Sequence, residues 1–225
     1  MANKVKYGLK NVYWAKATIA ADGSATYATP VPLRGAVNLS LDAQGDVTKF
    51  RADNIDYWVG YANNGYEGDL EVALIPDDFK KEILGQFEDA GGVLVEDAGT
   101  QPSPFAMMFQ FEGDQNATRH VLYNVSVSRP TVAGATTEET IEPQTETLSL
   151  TATSVFNAAT QKDVVKASCP ETNAAVYAAW FTQVYEPTVN QEEPKEEDPN
   201  QEDPNANQEG SNPGRRKSRS VTSMW

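Results

Sequence analysis

The side chains able to do chemistry in this chain are few and scattered. His120 is the single histidine, so a catalytic triad with a histidine base would have to be built around it. It opens an alternating run, with Arg119 before it and Leu122 two positions on, which suits a part-exposed strand histidine. Cys169 is the single cysteine, which leaves no internal disulfide; beside Pro170 and outside any metal-ligand spacing, it reads as a small buried hydrophobe. The acid pairs Asp77-Asp78 and Glu138-Glu139 are neighbours in sequence. The first sits where a helix start favours negative charge, and the second lies in a polar loop. No GxxxxGKS/T or GxGxxG phosphate loop occurs. The sequons Asn116-Ala117-Thr118 and Asn124-Val125-Ser126 would carry sugar only in a secretory compartment. These residues assemble no catalytic, cofactor or metal site, and the expectation is a protein that is not an enzyme and uses no cofactor.

Charge narrows the partners. The chain has 225 residues, with 18 basic against 32 acidic side chains and a net charge of −14. A grip on phosphates comes from Lys and Arg displacing counterions, so nucleic-acid binding is disfavoured. A surface past which a polyanion must slide without sticking would, by contrast, be acidic. The N-terminus, MANKVKYGLKNVYW, has no apolar core of a signal peptide. No run approaches the ~20 apolar residues of a membrane span. A soluble product of a reducing cytoplasm is expected.

The elements that must position these residues are mostly strands. Val37, Leu39 and Leu41 alternate with Asn38, Ser40 and Asp42; Leu70, Val72 and Leu74 alternate with Glu71, Ala73 and Ile75. Phe105, Met107, Phe109 and Phe111 face away from Gln110 and Glu112, and Val121, Tyr123, Val125 and Val127 oppose Asn124, Ser126 and Ser128. Leu148, Leu150 and Ala152 oppose Ser149, Thr151 and Thr153. Further strands are expected over Val5 to Ile19 and at Tyr57-Trp58-Val59, with turns at Ala21-Asp22-Gly23, Asn63-Asn64-Gly65 and Glu112-Gly113-Asp114. Two segments are helical instead. One follows Pro76 and sets Phe79, Ile83 and Phe87 on one face; the other runs from Thr172, as its cap, to Tyr185, with Val176, Trp180 and Val184 in line and Pro187 as its stop. The fold class is therefore mainly β, a β-sandwich or partly open barrel with a flanking helix and a C-terminal helix.

Two polar excursions are long for connections between strands, 42–69 and 130–146. The first is rich in aromatics, which contact surfaces use. The candidate inter-subunit contacts are Phe50, Asp53, Tyr57, Trp58, Tyr61 and Tyr66 in the first excursion and Glu142 and Gln144 in the second. The plainer alternative is that Tyr57 and Trp58 cover the barrel mouth.

The blocks GLKNVYWA at 8–15, ADNIDYW at 52–58, NNGYEGDLEVALIPDDF at 63–79, FEGDQNATRHVLYNVSVSRP at 111–130, IEPQTETLSLTAT at 141–153 and WFTQVYEP at 180–187 carry a resemblance. In this order they resemble the major tail protein family of the phi-thirteen type, from long, non-contractile-tailed phages of Gram-positive bacteria. The resemblance implies a tail tube fold, hexameric rings stacked around a DNA channel, and no enzymatic role. It also implies partners: further copies of the chain, with tape measure, tail tip and tail terminator proteins, and DNA that passes through the lumen without specific binding. Its implied location is the virion tail, after assembly in the host cytoplasm. Rival readings are a carbohydrate-binding or decoration β-sandwich on the virion surface and, from the enzyme class, an esterase-like protein dependent on His120.

The pattern ends near Pro187. Residues 188–225 carry eight acids and five bases, with the last stretch, RRKSRSVTSMW, reversing the sign of the segment before it. So few apolar side chains cannot offset ordering entropy, and a disordered tail is expected beyond a tube domain of residues 1–187. Truncation after Pro187 is expected to move folding stability by no more than about 0.5 kcal/mol, measured by thermal melting beside the full-length protein. A large drop in melting temperature would mean that the tail belongs to the fold.

Overall fold

The alternating runs become antiparallel strands of one large sheet. A computed structural model describes residues 6–136 and 143–189. The elements in chain order are β1 (Leu9–Ile19), β2 (Ala25–Tyr27), β3 (Val31–Pro32), β4 (Ala36–Gln44), β5 (Val47–Ala52), β6 (Ile55–Tyr61), β7 (Gly65–Val72), α1 (Asp77–Glu82), β8 (Phe87–Glu88), β9 (Leu94–Val95), β10 (Phe105–Phe111), β11 (Arg119–Val127), β12 (Glu146–Thr153), β13 (Val155–Asn157), β14 (Lys162–Val164), β15 (Lys166–Cys169) and α2 (Ala174–Ala179). The sheet runs β2-β1-β10-β11-β12-β7-β4, with β3 also on β1 and β15 also on β11. Its path has two free ends, so the described residues form no closed barrel. Ribbons β5–β6, β8–β9 and β13–β14 stand apart from it.

Strand β10 is buried along both faces from Phe105 to Gln110, whereas its sequence suggested one apolar face and one polar. Phe105, Met107 and Phe109 enter a core with Trp14, Leu70, Leu122, Leu148 and Leu150, closed by Phe79 and Ile83 from the α1 segment. Ala106 and Met108 enter a second core with Val121, Tyr123, Cys169 and Trp180, closed by the α2 segment. Phe79 meets both Trp14 and Phe105 edge to face at 5.4 Å, the arrangement ring quadrupoles favour. A sheet with two apolar faces needs a cover on each, and each helical segment supplies one.

Bulges explain where the alternation misleads. Tyr123 and Val125 were expected on one side. Between Phe105↔Val125 and Met107↔Leu122, β11 carries an extra residue, which reverses the phase. Val121 and Tyr123 therefore point into the second core, and Val125 and Val127 into the first. Val37 is likewise the extra residue between Ala36↔Val72 and Asn38↔Glu71, and it is exposed. Strand β7 ends at Val72, after which a bend turns Leu74 outward and Ile75 into the core. β12 keeps its expected phase, with Leu148, Leu150 and Ala152 inside.

The helices are shorter than their periodicity implies. Helix α1 ends at Glu82 and the chain reverses through Gly85, whose φ is +75°. Phe87 therefore leaves the helical face and lies exposed in β8. Helix α2 starts after Asn173, not Thr172, with no side-chain cap bond, and ends at Ala179. Trp180 and Val184 are buried beyond it, in turn and loop conformation.

Candidate assembly surfaces

The excursion 42–69 is not a loop. Its centre is the β5–β6 hairpin, closed by Asp53 and Asn54, whose φ values of 52° and 64° are both positive. That is the turn in which two central residues match the twist of the flanking strands. Asp53 thus shapes the hairpin tip. A register shift beside Phe50/Arg51 then sorts the side chains. The Phe50↔Trp58 and Ala52↔Ile55 pairs give one face an apolar patch, continued by the Thr48↔Gly60 pair. The other face holds Lys49 and Arg51, both ion-paired to Asp56 at 3.1 and 3.2 Å.

The apolar face is bare. Phe50, Ile55 and Trp58 are 59%, 61% and 57% exposed; Tyr57, the extra residue of β6, and Tyr61, opposite Val47 on the other face, reach 69% and 80%. Tyr57 and Trp58 accordingly do not cover a barrel mouth. An isolated two-stranded hairpin is marginal in water, and exposed ion pairs such as Lys49–Asp56 add only ~0–1 kcal/mol.

A second surface is the outer face of β4, β7 and β12. Registered rows cross it: Asn38–Glu71–Thr147, Ser40–Asp69–Ser149 and Asp42–Glu67–Thr151. Asn124, beside Thr153, extends it onto β11. Ser149 donates to Asp69 at 2.7 Å and Thr145 to Glu71 at 2.5 Å. These rows hold acids, hydroxyls and amides, with no Lys, Arg or aromatic ring. Close approach of β4 to β7 depends on Gly68, where a Cβ would stand 1.9 Å from the Ser40 carbonyl oxygen.

The other candidates separate. Tyr66, in β7, packs against the first core and lies under the Lys166 ammonium. Gln144 is exposed just before β12, and Glu142 lies outside the described residues. Asp77 and Asp78 begin α1 as expected, and Cys169 is buried, its thiol pushed up by desolvation. His120 stacks on Phe109 at 5.1 Å and lies 6.0 Å from Phe111, while Trp180 donates to its carbonyl at 3.4 Å. Among the described residues no cluster of three His, Cys, Asp or Glu could hold a metal. No described helix is long and apolar enough to cross a membrane.

Residues 2–191 match the family model described as phage tail tube protein. No curated protein matches the chain significantly. Among solved structures, the chain is similar to a subunit of the anti-feeding prophage baseplate, determined by cryo-electron microscopy with six-fold symmetry. The identity is 11% and the TM-score 0.41, over 76% of this chain and 97% of that one.

Burial, with Lys166 and Lys6 acting in the same direction and Asp114 opposing, lowers the His120 pKa from 6.5 to about 4. Between those values the unfolded chain binds a proton that the folded chain refuses. Stability therefore rises with pH across that window and gains nothing further from this group above it. The imidazole signal in a proton NMR titration should show a midpoint near 4, and His120→Gln should remove this part of the pH slope. A midpoint at the ordinary histidine value would contradict the burial described.

Proposed function

The chain belongs to the phage tail tube protein family, whose members are structural proteins of the virion tail, and from that premise we propose that it is the repeating subunit of the tube itself. In this reading it is a major tail protein of the phi-thirteen type. Copies form hexameric rings, the rings stack, and the genome leaves through the channel they enclose. Residues 1–187 make the tube domain, and tape measure, tail tip and terminator proteins meet its ends.

The observation that carries the proposal is the bare apolar face of the β5–β6 hairpin. Exposed aromatic anchors of this kind dominate the energy of protein contacts once they are desolvated. A neighbouring copy is the partner a tube supplies in excess. Ring closure needs another contact. Strand β4 ends the sheet with β7 as its only partner on that path, and an unpaired edge is a template for a strand from the next copy. Rotational closure then uses up the edges, and unlike ring faces stack head to tail.

The acid- and hydroxyl-bearing face of β4, β7 and β12 suits the channel wall. DNA carries one charge per ~1.7 Å of axis, so a wall with lysines would hold it at every step. Asp42, Glu67, Asp69 and Glu71 repel it instead, and the hydroxyls between them hold water.

Negative-stain microscopy with sedimentation tests the reading. The wild-type protein should form rings or tubes at high concentration. Phe50→Ser with Trp58→Ser should remove about 2 kcal/mol or more of contact energy per anchor and leave the protein dispersed. Melting should barely change, because neither side chain enters the core. A double variant that assembles as the wild type does would overturn the role of the hairpin. A variant that loses glycan binding, from a wild type that never assembles, would favour a carbohydrate-binding virion protein.

A further inference from the structure

One cavity departs from the acidic character of the chain. It has a volume of about 160 Å³ and is lined by Lys6, Tyr66, Phe109, Phe111, His120 and Lys166, with no carboxylate among its lining residues. The Lys6 ammonium lies 4.7 Å from the centre of the Phe111 ring, and that of Lys166 lies 5.3 Å from the centre of Tyr66. Among the described residues neither lysine has an ion pair. The His120 Nδ1 atom is buried with no hydrogen-bond partner there. Asp114, the carboxylate that acts on His120, is engaged by its own turn, where it accepts from the amides of Asn116 and Thr118 at 3.0 Å.

The lysines are therefore held over aromatic rings beside a recess that offers them no counter-charge. Both lysines are exposed, and in a protein of net charge −14 two ammonium groups so placed can take an anion from outside the chain. The volume falls below the ~300 Å³ at which small-molecule pockets usually begin. At ~30 Å³ per water it has room for a carboxylate and its methylenes. Apolar walls suit the methylenes, and the ammonium groups suit the carboxylate.

We infer that this recess is a receptor for an aspartate or glutamate side chain of a second copy of the chain. Its position argues for that occupant. Leu39 and Leu41 of β4 form part of its wall, and β4 is the strand left open at one end of the sheet. A copy that adds there comes from a chain in which acidic side chains outnumber basic ones by 32 to 18. Assembly of subunits that repel one another overall needs such local complementarity, which fixes register as well as attraction. This inference rests on the assembly reading above only for its occupant.

The test has two arms. In the first, acetate is titrated into the full-length protein at fixed ionic strength, balanced by chloride, and the signal of the single histidine is followed by NMR. A saturable shift is expected, lost in Lys6→Gln with Lys166→Gln. In the second, sedimentation measures the concentration at which the protein assembles. Lys6→Glu with Lys166→Glu should raise it by about tenfold or more, equivalent to one strong contact, while Lys6→Arg with Lys166→Arg should assemble normally. Absence of a saturable shift overturns the receptor. Acetate binding with unchanged assembly of the Glu variant overturns the neighbour's carboxylate as occupant and assigns the recess to a free small anion. A wild-type protein that never assembles refutes the tube reading and the occupant with it, and the acetate arm still decides the receptor.

Discussion

The side-chain amide of Gln110 ties together three parts of this fold that also meet through the sheet and the second core. Among the described residues it is the buried polar side chain, 4% exposed. Its oxygen accepts from Asn11 at 3.0 Å, and its nitrogen donates to the Ala117 carbonyl and the Tyr177 hydroxyl, each at 3.0 Å. Asn11 has a φ of 52° and sits where β1 carries an extra residue against β10. One amide therefore secures the β1 bulge, the turn before β11 and helix α2. Leaving such a group unsatisfied costs ~1–3 kcal/mol, so these elements hold one another in place. Arg119 reinforces the arrangement: its guanidinium lies 3.6 Å from the centre of the Tyr177 ring and donates to the Tyr177 carbonyl.

With β10 buried on both faces, the interior is complete within one chain, and what remains open is surface. That surface is divided by chemistry. The hairpin presents aromatics with no cover, the β4–β7–β12 face presents acids and hydroxyls, and the recess beside β4 presents lysines. In the assembly we propose each has a place: a contact between copies, a wall that does not bind DNA, and a charge latch at the subunit edge.

Much of this was legible in the residues, and the rest was hidden for physical reasons. β12 could be read directly, because one of its faces is wet and its alternation unbroken. β10 could not, because Ala106 and Met108 fill a second core that only the α2 segment creates. The bulges at Val37 and in β11 shift the phase by one residue and leave no mark in composition. Phe87 kept helical spacing after Phe79 and Ile83, yet Gly85 had already turned the chain away. Of the hairpin, only the strand at Tyr57-Trp58-Val59 was legible, within what read as a long connection, because the hairpin has no buried face to impose a readable period. Its aromatics stood out in the sequence and are exposed in the structure, and Asp53-Asn54 was the turn signal that locates it. The Lys6–Lys166 pair, far apart in sequence, is brought to one recess only by the fold.

The most direct test is a cryo-electron microscopy reconstruction of the assembled protein in which strands can be traced. The account predicts that Asp42, Glu67, Asp69 and Glu71 face the channel axis and that the β5–β6 hairpin leaves its own subunit to lie on an adjacent one. A reconstruction with that acidic face on the outside of the tube, or with the hairpin exposed to solvent throughout, would contradict it.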